Sequence, residues 1–182
     1  MATNQTPRVA ADPRRWYDRT SALWYADHYW NSHNPDFLHF EDDCTNFVSQ
    51  VMLAANFPMD VQPSKLEGWW YIGHGRPTDT WSLSWAVAHS FRWFMAQSPR
   101  VEAAAAARDL KPGDVINYDF EGDGVWDHTT VVTGYDAKGE PLVNAHTFNS
   151  YRRPWRYTDS PMYTPNIKYS FWHIKDDLGP VP

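Results

Sequence analysis

The sequence holds a single cysteine, Cys44, among 182 residues. That excludes an intrachain disulfide framework and any multi-cysteine zinc site. No apolar run approaches the roughly 20 residues a membrane-spanning helix needs. The polar stretch Met1 to Arg15 lacks the apolar core of a secretory signal, so no export signal is read there. Lys and Arg number 16 against 22 Asp and Glu, and the densest basic group is only Arg152, Arg153 and Arg156. A nucleic-acid partner is therefore not expected. No HExxH-like spacing occurs among the eight histidines, which argues against a metal-dependent hydrolase.

Aromatic rings, by contrast, are abundant. Eleven Trp help to bring the aromatic share to 16%. Such rings fill cores and line clefts. Trp81, Trp85 and Trp93 read as helix packing, whereas Trp69–Trp70, in a loop, invites a carbohydrate-stacking reading. The length suits one domain, able to bury about two-thirds of its extended-chain surface. Residues 1–13 read as a disordered leader, and 14–182 as one domain, expected to be a monomer.

Helical spacing covers Pro13 to Trp30, and Asn31 to Asp43 reads as a loop. A second helix is expected from Cys44, with Asp43 as N-cap; Phe47, Val48, Val51 and Met52 form its apolar face, and Pro58 limits it. Loops fill 57–80, and a third helix is expected over Ser82 to Ala96. Residues 101–108 fit helix or strand. From Leu110 onward, LKPGDVINYD, HTTVVTGYD, PLVNAHT and IKYSFWHIK read as four strands. A helical half followed by a small antiparallel sheet is an α+β plan.

Amide hydrolysis by a thiol needs a nucleophile, a base and a group that orients the base. At N1 of a helix, Cys44 would feel the unpaired amides and the dipole, both of which favour an anion. Asp42 and Asp43 oppose this by like charge, so a histidine partner has to supply most of the activation. Composition leaves all eight histidines open.

The block DCTNFVSQ (Asp43 to Gln50) resembles the nucleophile helix of the NlpC-like branch of papain-like cysteine hydrolases. It is closer still to the family named "Putative amidase domain". YADHY, LKPGDVINYD, GDGVWDHTTVVTGY and NAHTFNSYRRPW follow in the family's order, so the resemblance covers about residues 20–174. It implies a papain-like fold, Cys44 as nucleophile and His128 as base. His146 is the preferred third residue, with Asn144 as the alternative. Tyr25 and Asn34 would lie near the oxyanion. No cofactor is implied. A thioester acyl-enzyme would form, and the substrate would be an amide or peptide, with cell-wall peptide suggested by analogy alone. The rivals are an inactive glycan- or peptide-binding module with an aromatic cleft, and an acyltransferase on the same fold. The missing signal points to the cytoplasm and a wall substrate to export, so the compartment stays open.

One acidic loop imitates a calcium site. Asp119, Glu121, Asp123, Gly124 and Asp127 fall at positions 1, 3, 5, 6 and 9 of such a loop, but Thr130 stands at position 12, where a bidentate carboxylate belongs. A plain acidic hairpin loop is the favoured reading.

Overall fold

The computed structural model describes residues 14–180. The expected leader, 1–13, lies outside the described residues. In chain order the elements are β1 (Arg14–Trp16), α1 (Arg19–Tyr29), α2 (Cys44–Ala54), β2 (Tyr71–Ile72), β3 (Thr80–Trp81), α3 (Leu83–Ala86), α4 (Ala88–Gln97), β4 (Val101–Ala103), β5 (Val115–Asp119), β6 (His128–Tyr135), β7 (Pro141–Ala145), β8 (Ser150–Pro154), β9 (Lys168–Ile174) and β10 (Asp177–Pro180). A single 3-10 turn, Ala107–Asp109, follows β4.

The main sheet is antiparallel, in the order β4-β9-β5-β6-β7-β8. With four helices beside it, the mixed helical and antiparallel plan read from the sequence holds at that level. Alternation along each strand makes two cores. Val115, Val131, Trp172 and Ile174 face the helices, where Phe47, Val48, Val51 and Met52 of α2 meet them. Ile116, Tyr118, Phe120, Val132 and Val143 face the other way, under Trp155 and Tyr157. The central strands β5, β6 and β7 are thus largely buried on both sides.

The helices differ from expectation in two places. α1 begins at Arg19, because Asp18 caps it by accepting from the Ser21 amide and hydroxyl. The expected third helix is broken at Val87, whose φ of −116° and ψ of 121° are extended, and so it becomes α3 and α4. Trp81 accordingly lies in β3 rather than on a helix. Trp93 is on α4 but half exposed, with Arg92 over its ring.

Trp69 and Trp70 are buried, which removes them as a carbohydrate-stacking platform. Trp69 and Trp85 are packed 4.9 Å apart between ring centres. Buried indoles need acceptors for their N–H groups. Trp69 donates to Ser49 Oγ, and Trp85 donates to Asn46 Oδ1. On the same helix-facing side, Trp172 donates to Asn117 Oδ1. Polar side chains of α2 therefore act as acceptors inside an aromatic core and fix how the helix is rotated against it.

Candidate active site

Cys44 opens α2 and is buried. The first intrahelical bond runs from the Phe47 amide to the Asp43 carbonyl, so the amides of Cys44, Thr45 and Asn46 precede the ladder. Asp43 does not cap the helix with its side chain, contrary to expectation. Its Oδ1 accepts from the Phe40 amide and from Asn46 Nδ2, and its Oδ2 meets His146 Nδ1 at 2.7 Å. Burial pushes this carboxyl upward, but the bonds from His146, Asn46 and Phe40 outweigh it and hold it below the usual carboxylate range.

The N-terminus of α2 sits where β6 begins and β7 ends. Thr45 Oγ1 meets Thr129 Oγ1 at 2.9 Å, and the Asp43 amide donates to Thr147 Oγ1 at 2.9 Å. The Cys44 sulfur lies 3.7 Å from Thr45 Oγ1 and also receives the Thr129 backbone amide. Burial pushes the thiol up; these two donors oppose the rise, and the Asp43 charge adds to it. The sulfur therefore rests as a thiol.

His128 is the first residue of β6 and is buried. Its ring lies among Tyr118, Phe120 and Tyr157, and its Nε2 is 2.9 Å from the Tyr157 hydroxyl. Burial, followed by the nearby Arg153 charge, lowers its pKa to about 3, so the imidazole is neutral. Tyr157 itself is pushed up to about 12, chiefly by burial, and the charge of an ionised Cys44 adds to the rise. The Arg153 guanidinium lies over the Tyr157 ring, 4.0 Å from its centre. Tyr157 has a φ of 57°, which is rare for an aromatic residue and marks a strained position. No local periodicity announces it; the only sequence signal is the neighbouring run Arg152, Arg153, Arg156.

The residues expected to hold His128 are bonded elsewhere. Asn144 Nδ2 donates to the Ala26 carbonyl and to Asp27, while its Oδ1 accepts from Thr133 and from the Arg152 amide. His146 stacks on Phe47 at 4.1 Å and bonds Asp43 and the Tyr29 carbonyl. Asn144 pairs with Val131, so it faces the helices together with Thr129, whereas His128 faces the other core. The histidine partner that the structure provides is Tyr157. Tyr25 donates to Gln50 Oε1 and accepts from Asn34 Nδ2, so these two residues form a network at the edge of α2.

In the acidic loop, Asp119, Glu121 and Asp127 bring carboxylate oxygens within 4.8 Å of one another. Asp119 Oδ1 accepts from the Gly122 and Asp123 amides, and Oδ2 from Gly124. Asp123 accepts from Val125, and Asp127 from Phe120. Thr130 is buried in β6 against the Tyr118 hydroxyl. These contacts shape a hairpin loop whose carboxylates bind its own amides.

The sequence matches the family described as "Putative amidase domain" over residues 16–172. It is 46% identical over 164 residues to "Uncharacterized protein YhbB" of Bacillus subtilis (strain 168), covering 88% of this chain and 51% of that protein. It is 28% identical over 163 residues to "Uncharacterized protein YjcM" of the same organism, covering 84% of this chain and 36% of that protein. The chain thus spans about half of the first relative and about a third of the second. No solved structure matches it. No described helix is long and apolar enough to cross a membrane. The family match runs from β1 into β9 and takes in Cys44, His128 and Tyr157 alike, and by it the chain belongs to the "Putative amidase domain" family.

Proposed function

We propose that this domain hydrolyses amide or peptide bonds through Cys44, with His128 as base, in the manner of papain-like enzymes. The observation that carries the reading is Tyr157: its hydroxyl engages His128 Nε2, and it lies within electrostatic reach of the Cys44 sulfur. To act as a base, His128 must keep the Nδ1 lone pair free. Nε2 then carries the hydrogen and donates it to the Tyr157 oxygen.

Both groups rest neutral, Cys44 as thiol and His128 as imidazole. Proton transfer to His128 accompanies attack of sulfur on the substrate carbonyl, and the tetrahedral oxyanion forms beside the leading amides of α2. His128 then protonates the leaving amine, and a thioester remains on Cys44. A water, deprotonated by the same imidazole, releases the acid and regenerates the thiol. Tyr157 stabilises the transient imidazolium by accepting from Nε2. A peptide of the cell wall is one amide substrate that fits this chemistry.

The test is hydrolysis of a panel of acyl amides and short peptides, cell-wall stem peptides included. Cys44→Ala and His128→Gln are each expected to lower kcat/KM by a factor on the order of 100 or more. Full activity in a folded Cys44→Ala protein would overturn the thiol mechanism. Product analysis with an added amine separates hydrolysis from acyl transfer.

A further inference from the structure

A second cluster gathers around Asp43, the residue before Cys44. His33, in the loop between α1 and α2, brings Nδ1 to 3.6 Å from Asp43 Oδ2. His146 Nδ1 meets the same oxygen at 2.7 Å. The ligand atoms of all three residues lie within 4.8 Å of one another. The ring of His39 stands edge-on to His33, 4.1 Å between centres. Three separate parts of the chain, a loop, a helix start and the end of β7, thus converge on one carboxylate oxygen.

We propose that His33, Asp43 and His146 form a binding site for a divalent transition metal of the zinc class. Two imidazoles and one carboxylate suit a borderline ion such as Zn²⁺ better than Ca²⁺ or Mg²⁺, which prefer all-oxygen shells. Zinc–ligand bonds of about 2.0–2.2 Å set neighbouring tetrahedral ligands roughly 3.3–3.6 Å apart. The His33–Asp43 separation of 3.6 Å already fits that spacing. The His146–Asp43 separation of 2.7 Å needs to open by less than about 1 Å, as the cation replaces the hydrogen between them. That proton leaves to solvent.

The surroundings are those of a metal site rather than a bare charge pair. A metal-bound histidine characteristically donates its other ring N–H to a carbonyl or carboxylate. His146 Nε2 lies 2.6 Å from the Tyr29 carbonyl and keeps a hydrogen there, so that once the cation has displaced the Nδ1 hydrogen, Nδ1 is the ligating atom. A ligating carboxylate is likewise held by its remote oxygen. Asp43 Oδ1 takes the Phe40 amide and Asn46 Nδ2, leaving Oδ2 directed at both imidazoles. His33 is half exposed, which gives an ion a route in. No local sequence motif marks this site, because its ligands are spread over more than a hundred residues.

Metal-stripped full-length chain is titrated with Zn²⁺ by calorimetry and with Co²⁺ by visible absorption. One equivalent of Co²⁺ is expected to give the intense bands of a tetrahedral site. His33→Ala, an exposed position whose loss leaves the fold intact, is expected to weaken Zn²⁺ binding by about 100-fold or more. Cys44→Ala is expected to bind as wild type does, which keeps this test independent of the thiol mechanism. The proposal is overturned by no saturable binding at micromolar Zn²⁺, or by equal affinity in His33→Ala. Binding lost in Cys44→Ala but kept in His33→Ala also overturns it, since the thiol would then be the ligand.

Discussion

His128 Nε2 and the Tyr157 hydroxyl stand 2.9 Å apart, which ties the first residue of β6 to a residue beyond β8 held in left-handed backbone. The contact gives the imidazole one partner and one orientation. Tyr157→Phe removes the acceptor and keeps the ring, so Arg153 and Tyr118 retain their packing partner. The expected result is a fall in kcat of about 10- to 100-fold with KM little changed, and a stability loss of only about 1 kcal/mol. Steady-state kinetics and thermal melts read both. An unchanged kcat would remove Tyr157 from the reaction.

Acid stability follows from the same histidine. Burial holds folded His128 neutral down to about pH 3, whereas an unfolded chain protonates it near pH 6.5. Above about pH 6.5 neither state binds this proton and its contribution to stability is complete. As the pH falls from there toward 3, the unfolded state gains a proton that the folded state refuses, so stability declines by up to about 1.4 kcal/mol per pH unit. Urea melts between these limits are expected to show a shallower decline for His128→Gln than for wild type. Parallel slopes would mean that the imidazole is not held neutral.

Asn144 is expected to matter for folding. Its amide joins α1 to β7 through Ala26 and Asp27, and its oxygen receives Thr133 and the Arg152 amide. Asn144→Ala leaves several buried polar groups without partners and is expected to cost about 2–4 kcal/mol. Calorimetry or urea melts would show it; a loss under about 0.5 kcal/mol would contradict this network.

The readable parts of the fold were those with a strong period. α2 begins at Cys44 because Phe47, Val48, Val51 and Met52 repeat at helical spacing, and all four are buried. β5, β6, β7 and β9 lie inside the stretches read as strands. β8 escaped notice because SYRRP, on an edge, is mostly exposed or half-exposed and carries no apolar alternation. The partner of His128 is hard to read from the sequence for a geometric reason. Period-two alternation assigns a face only once register is known, and a shift in pairing separates Val132 from Gly134. Asn144 therefore lands opposite Val131, on the face that His128 does not use. Tyr157 lies outside any repeat, so only tertiary packing reveals it.

β1 pairs with β10, and Arg19 reinforces the join by donating to the Ile174 carbonyl and to Asp176. Entry and exit of the described fold thus share one short ribbon, like a loop of cord closed by a clasp. A short flexible bridge across that clasp, with the chain reopened at the exposed Asp136–Gly139 turn, should leave the helices and the main sheet undisturbed. For the same reason, a larger polypeptide would carry this unit as a pendant, its two attachment points side by side.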